Sequence, residues 1–392
     1  MKKFAISLVM SLVSLLGSDK ALADQSFDIH NATDGSHPAI AFDNKGQLHL
    51  ALERREKTSN RVDIFYAKSA DRARTWTPAV DISGQGKSSI ADIVVDEKGV
   101  IDVAWGYMPP DGEAGLFLVR SFDGGTTWTK PFSISNIHGV SSEPDIAVGP
   151  DESLHVVWTD KRAGESYPQI YYCFSKDSGV TWSNSENISN TLGAAGEAAI
   201  TVGQDGTVYA VWSEKPSGGD HADIFFALKT ADEWSSGVNV SNSAYATSHP
   251  DVACGSKDKI HLCWAEASGE GNGQDIIYRT GNSHGQLHRA LDLSDTPGVS
   301  SNPALVADLD RVAVVWSNTN DDTNSQILGR ASVDGGKKFS NTVSFSNKGT
   351  NSVHPDVAIS GNEVFAVWQD SSPNQNAIKA TSLQIAADES KK

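Results

Sequence analysis

Cysteine is scarce in this chain: three residues, Cys173, Cys254 and Cys263, in 392. Three thiols cannot build a disulfide framework, so stability has to come from buried surface. Cys254 and Cys263 are expected on adjacent strands of one hairpin. They either bridge there in an oxidising compartment or sit as buried thiols where other repeats have Val, and Cys173 has no partner in either case. Positive charge is also short, with 32 Lys and Arg against 49 Asp and Glu and a formal net charge of −17. That balance disfavours DNA, RNA and anionic lipid as partners and suits solubility or the capture of cations. No apolar run is long enough to span a membrane. Lys2 and Lys3 lead into the apolar stretch Phe4 to Leu16 and then Ala21-Leu22-Ala23, the pattern of a secretory signal peptide over 1–23. No cysteine lies near that cleavage site to carry a lipid, so the expectation is a secreted or periplasmic protein, monomeric and without a membrane anchor. Also missing are a Ser-His-Asp nucleophile motif, a zincin helix, a CxxC pair, a P-loop and a dinucleotide fingerprint.

What the chain has instead is a repeat. S-x-D-x-G-x-x-W occurs complete at Ser121–Trp128 and Ser175–Trp182, with Phe339 for Trp in Ser332–Phe339 and Ala73 for Gly in Ser69–Trp76, at a pitch of about 53 residues. Around it each unit reads as four short strands. The first is P-D-I-A-V-like, as in Pro144-Asp145-Ile146 and Pro355-Asp356-Val357. The second ends in Trp at 105, 158, 212, 264, 316 and 368, with Leu52 in the first unit. The third opens Asp/Gln-Ile, and the fourth follows the Asp-containing turn. Hairpin turn signals separate the first two strands.

Counting decides the topology. First, second and third strands number seven each, but only six fourth strands follow them; the seventh copy is Phe27-Asp28-Ile29-His30-Asn31 at the front. The chain is therefore expected to be all-β, a seven-bladed β-propeller of four-stranded blades whose last blade is closed by the N-terminal strand. Expected blades run about 36–83, 89–135, 142–189, 196–241, 248–294, 301–346 and 353–386 plus 26–31, forming one domain over 24–392. All ten tryptophans are absorbed by repeat positions, which makes them packing residues and leaves no tryptophan platform for a sugar.

The turn motif resembles the Asp-box, or BNR repeat, of the sialidase-like propellers. The resemblance implies that the Asp accepts backbone N–H bonds across the turn, that the Gly takes a positive φ and that the Trp packs under the blade. Those roles fall to Asp123, Gly125 and Trp128, to Asp177, Gly179 and Trp182, and to Asp71, Asp334 and Gly336 in the incomplete copies. With Ala73 in place of Gly, the first turn is expected to be strained or differently shaped. In the fifth unit, Gly281–His288, only the Gly remains. The family places these turns on the face away from its ligand site. Its sialidases use three arginines, a Tyr nucleophile polarised by a Glu, and an Asp acid/base, with the first arginine in an R-I-P motif. The matching segment here is Ser36-His37-Pro38, without arginine.

On the opposite face the residues before each first strand rim the central channel: His37, Ile90, Glu143, Glu197, His249, Asn302 and His354. The three histidines belong to the first, fifth and seventh units; the first and seventh are adjacent in the ring, and the fifth is two blades from the seventh, which spreads the set widely. Just inside lie Asp92, Asp145, Asp251 and Asp356. Two residues beyond each second-strand Trp come mostly acids, among them Asp160, Glu214, Glu266 and Asp370, with Arg54 and Tyr107 at the same place in the first two units. Together with Arg162 these form an acidic funnel bearing histidines. It suits a polar ligand or a divalent cation such as calcium, or it ties inner strands together by hydrogen bonds. The loop Asn318–Asn324 is a second calcium candidate, though it lacks EF-hand spacing. Three functions remain: binding of a glycan, another polar ligand or an extracellular protein; a sialidase-like exo-glycoside hydrolase with its acids among Asp160, Glu214, Glu266 and Asp370; or a scaffold without a small-molecule site. The missing arginine favours the first and third.

Overall fold

Apolar residues alternate with polar ones along every repeat, and the backbone follows that alternation into strand. The computed structural model describes residues 27–55, 61–84, 86–107, 114–135, 139–230, 233–269, 273–295, 298–320, 324–372 and 375–385. The expected signal peptide, the last expected blade residue and Asp321 to Thr323 of the calcium-candidate loop lie outside them. Among the described residues the only helical element is a 3₁₀ turn, Ser256–Asp258, so the fold is all-β.

Seven inner strands, Gly35–Phe42, Ser88–Val95, Gly139–Val148, Ala194–Val202, Thr247–Cys254, Val299–Asp308 and Ser352–Ser360, each pair antiparallel with a second strand. Each second strand pairs in turn with a third. A two-residue fourth strand follows in the first six units, from Val80–Asp81 to Val343–Ser344. Beside the last third strand, Gln375–Gln384, runs the N-terminal strand Phe27–Thr33, with Phe27 opposite Ala380. Hydrogen bonds group the strands into six sheets, because one parallel pair, Gln274 with Val299, joins the fifth and sixth units. Inner strands neighbour one another in chain order, and the last lies against the first.

The core is divided in the same way. Seven apolar clusters each span two successive units; one unites Leu48, Leu50 and Leu52 of the first unit with Phe365, Val367 and Ile378 of the last, plus Ile29. The six second-strand tryptophans are at most 1% exposed. Each contributes roughly 2–3 kcal/mol by burial, which accounts for their use as spacers between sheets. The cysteines obey the same alternation. Cys254 enters the cluster between the fourth and fifth units and Cys263 the one between the fifth and sixth. They face opposite sides of the sheet and are free thiols, so the bridge is ruled out and the buried-thiol reading stands.

In the repeated Ser-x-Asp turns the Asp Oδ1 accepts the N–H four residues on, at 2.8 Å for Asp71, Asp123 and Asp177 and 3.0 Å for Asp334. The preceding Ser Oγ donates to the same oxygen and accepts the N–H of Ala73, Gly125, Gly179 or Gly336. Bonds from the Thr127 and Thr181 side chains, and then from their N–H groups, pull Asp123 and Asp177 down to about 2. The first turn keeps this geometry with Ala73 at φ 62°, so it is strained rather than reshaped. In the fifth unit Asn282, one position earlier than the motif predicts, accepts the N–H groups of His284 and Gln286. The turns dock on tyrosines of the preceding unit: Trp128 on Tyr66, Trp234 on Tyr172 and Phe339 on Tyr278, edge to face at 4.8–4.9 Å. Each of those tyrosines is held by a buried histidine, His49, His155 or His261, through Oη and Nδ1 at 2.5–2.7 Å.

Gly46 and Gly336 share φ +76°, but nothing lies within 4 Å of a Cβ added at Gly46, whereas one at Gly336 would fall 1.8 Å from Tyr278 Oη. Gly46→Ala should cost about 1–2 kcal/mol, the left-handed penalty alone. Gly336→Ala should add about 1–3 kcal/mol of overpacking, because His261 leaves the phenol nowhere to go. Thermal unfolding of the two variants side by side checks this; equal losses would mean that the turn does not dock on Tyr278.

Candidate functional site

Every inner strand breaks register against its second strand near its start, as between Ser36 and Ala39 or between Ser142 and Asp145. The extra residue of each bulge is the rim residue. His37, Ile90, Glu143, Glu197, His249, Asn302 and His354 all have positive φ, from 27° to 54°. For non-glycine residues this backbone costs on the order of 1–3 kcal/mol each, and it re-aims the side chain. Pairing of Ser36 with Glu53, and of Leu48 with Ser69, puts the rim at the end of the sheet opposite the Ser-x-Asp turn. All seven rim residues line one cavity of about 350 Å³, with the four aspartates beneath them. All three rim histidines share this cavity, and the rings of His37 and His354, from the adjacent first and last units, are 4.5 Å apart.

The bulge also throws one N–H off the ladder, three residues past the rim. Four aspartates satisfy all seven of these donors. Asp92 takes Ile93 of its own unit at 2.8 Å and Ile146 of the next at 2.9 Å. Asp251 takes Val252 and Leu305, both at 2.7 Å, and Asp356 takes Val357 at 2.8 Å and Ile40 of the first unit at 2.6 Å. Asp145 takes Ile200 alone, at 2.7 Å, and is hydrogen-bonded to Asp92. The tie between inner strands is therefore the use the structure makes of this set. Enclosure by protein outweighs these bonds and raises all four carboxyls. Asp251 is pushed up to about 7 and Asp356 to about 8; Asp145 is raised well above the usual carboxylate range, by burial and then by the charge of Asp92. With both oxygens of Asp251 and Asp356 committed to N–H donors, neither is free to attack a substrate or to shuttle a proton.

Around the rim, His37 Nδ1 lies 2.9 Å from Glu53 Oε2, and Glu53 also accepts from Ser36 Oγ at 3.0 Å and from the Ile90 N–H. Burial pushes the Glu53 carboxyl up, but the His37, Ile90 and Ser36 bonds leave it below its usual range. Glu53 was missed from the sequence; the available signal was an acid at a second-strand position filled by small or neutral residues in the other units. Glu197 Oε2 accepts the His249 N–H at 2.7 Å, while His249 Nε2 lies 3.6 Å from Oε1. Burial, with His37 and His249 close by, lowers His354 to about 4. Glu143 has one marginal contact, 3.5 Å from Thr159 Oγ1. Among the described residues no group of three His, Cys, Asp or Glu is placed to hold a metal ion.

The acids after the tryptophans have another use. Indole Nε1 donates to Asp160 from Trp158 at 3.3 Å, to Glu214 from Trp212 at 2.9 Å and to Glu266 from Trp264 at 3.0 Å. Residues i and i+2 share a strand face, so these acids follow their Trp toward the space between sheets. Asp370 accepts from Ser352 Oγ at 3.4 Å. Arg54 lies over the Phe65 ring at 5.0 Å and Tyr107 packs edge-on to Phe117. Arg162 bonds Asp160 at 3.1 Å and caps the Tyr171 ring at 3.3 Å. Tyr171 donates to Glu165, and burial followed by that bond pushes its phenol up to about 12, which opposes a nucleophilic phenolate. None of these residues lines the cavity.

A pH dependence follows. Asp251 and Asp356 keep protons in the folded state that the unfolded chain gives up near pH 4. Their stabilising contribution is full below about pH 4 and is lost as pH rises through about 7–8. His155, His261 and His354, lowered by burial to about 4, contribute fully above about pH 6.5 and lose that as pH falls toward about 4. The melting temperature should peak near about pH 6–7 and fall by about pH 8.5, less steeply in Asp356→Asn. A melting temperature level or rising over that alkaline span would contradict the assignment.

No protein-family model matches this sequence, and no curated protein matches it. Solved structures do resemble it. An ulvan polysaccharide lyase superposes with a TM-score of 0.65 at 12% identity, over 92% of this chain and 96% of its own. An α-L-arabinofuranosidase from Fusarium graminearum gives 0.55 at 14%, over 92% and 98%. A Hadza microbial sialidase gives 0.51 at 15%, over 90% of this chain and 66% of its own. These likenesses give the fold: a β-propeller.

Proposed function

We propose that the seven units are the blades of one seven-bladed propeller spanning 24–392, exported on the signal peptide 1–23 to the periplasm or cell exterior. Its S-x-D-x-G turns are Asp-boxes on the structural face, and the protein binds a glycan in the cavity at the opposite face. The observation that carries this reading is the cavity itself, whose seven rim side chains are all held in strained bulges. Glycine would relieve that strain, yet none of the seven positions is glycine, which fits a requirement for side chains at the rim. The glycan class is supported by the neighbours, whose names are those of enzymes acting on polysaccharides, arabinofuranosides and sialosides. Binding rather than hydrolysis is supported by the engagement of the acids: Asp160, Glu214 and Glu266 serve indoles, and Asp92, Asp251 and Asp356 serve backbone N–H groups.

A glycan array on the purified mature chain is expected to return saccharide ligands. Glu143→Ala and His354→Ala should each weaken binding at least about tenfold, about 1.4 kcal/mol, while Arg54→Ala, outside the cavity, leaves it unchanged. Turnover of fluorogenic sialosides or arabinofuranosides would replace binding by hydrolysis, and an array without any ligand would put the scaffold reading first.

A further inference from the structure

The cavity is chemically lopsided. In ring order Glu143 and Glu197 are neighbours on the third and fourth inner strands, while Asn302, His354 and His37 occupy the arc across from them. No Lys or Arg is among the lining residues, and the base nearest the acidic arc is the imidazole of His249, 3.6 Å from Glu197. Glu143 has only its marginal Thr159 contact, and Glu197 spends one oxygen on the His249 N–H, with the other 3.6 Å from His249 Nε2. His249 Nδ1 is buried without a hydrogen-bond partner. Asp92 and Asp145 lie beneath this same arc and bond each other, which places further acid there but no base. The opposite arc offers neutral donors and acceptors: an amide and, with His354 held neutral by burial, an imidazole.

We propose that the ligand is an amine-bearing saccharide, a hexosamine unit with a free ammonium group seated against Glu143 and Glu197 and with its hydroxyls toward Asn302, His354 and His37. The proposal rests on reading the cavity as a saccharide site, and it sets the ligand apart from anionic sugars. A uronate or sialate carboxylate would enter a lining with two rim glutamates, four aspartates beneath them and no Arg or Lys. A metal in place of the ammonium would need three or more grouped ligands, and the described residues contain no such group. An ammonium needs fewer, because it donates three hydrogen bonds and tolerates loose geometry.

The test is calorimetric titration, at a pH near 6, of the mature protein with three disaccharides of one skeleton: the β-1,4 glucosamine dimer, its N-acetylated form and cellobiose. The free-amine sugar should bind at least about tenfold more tightly than either neutral sugar, and Glu143→Gln and Glu197→Gln should each remove most of that preference while leaving neutral-sugar binding in place. Glu197 also holds a backbone N–H, so a folding defect there is checked by melting temperature, and Glu143→Gln carries the test alone if one is found. Equal affinity for the three sugars would overturn the amine assignment and leave the cavity as a saccharide site. Binding of none of them, together with an empty glycan array, would overturn the cavity reading and this proposal with it.

Discussion

Sheets that pack face to face share almost no backbone hydrogen bonds, so something else must join their inner edges. Here it is the carboxylate of an inner-strand aspartate, which accepts one N–H from its own strand and one from the next. The bulge creates the need: it takes one N–H per inner strand out of the ladder and buries it near the channel, where an unmet donor costs about 1–3 kcal/mol. One aspartate per pair of strands is enough, which explains alanine at 39, 199 and 304 where other units have aspartate. Pairs do not divide seven. One strand is left over, and Asp145 serves Ile200 alone. Two aspartates must then sit on adjacent strands, and Asp92 and Asp145 meet. Two carboxyls in hydrogen-bond contact cannot both be ionised, so the charge of Asp92 adds to burial in raising Asp145.

The same bond makes the junction between the two ends of the chain no different from the others. Asp356 reaches Ile40 across nearly the full sequence, at 2.6 Å. The apolar cluster of Leu48, Leu50, Phe365 and Val367 covers it as the other clusters cover theirs, and Ile29 joins from the N-terminal strand. Polar latch and apolar cluster act on the same pair of sheets. The latch fixes which residue meets which, and the cluster supplies most of the energy.

Much of this was legible in the residues. Strand order, the pairing of the N-terminal strand with the last third strand and the set of rim positions follow from the repeat and from counting its parts, while the turn hydrogen bonds are those the family resemblance implied. The use of the acids after tryptophan was also within reach, because strand alternation puts them on the face of an indole that needs an acceptor. They were read as funnel residues because composition was weighed before side-chain direction. The buried pairs His49–Tyr66, His155–Tyr172 and His261–Tyr278 recur every second unit, and the search for a single-unit period passed over them. Two features were not legible. Nothing in an x-Pro or x-Ala dipeptide announces a left-handed bulge, since the residue before proline is ordinarily extended. The asymmetry of the cavity depends on which rim residues face each other, which only the ring provides.

Bulge, latch and cavity are therefore one device seen from three sides. The backbone at the rim is the same in all seven strands, while the side chains are three histidines, two glutamates, an asparagine and an isoleucine. The residue that follows is proline five times and alanine twice, and the one after that is aspartate or alanine. Those neighbours are confined to a few types because they make the bulge and satisfy its N–H. At Ile90, Asn302 and His354 no backbone group of a neighbouring strand is held by the side chain, so their identity is free to follow a ligand. Glu53 and Glu197 stand between the two cases, each holding the N–H of a rim residue on the next strand, Glu197 from the cavity wall and Glu53 from behind His37. A change of specificity in this architecture would thus be made most cheaply at 90, 143, 302 and 354, and would cost stability at 53 and 197.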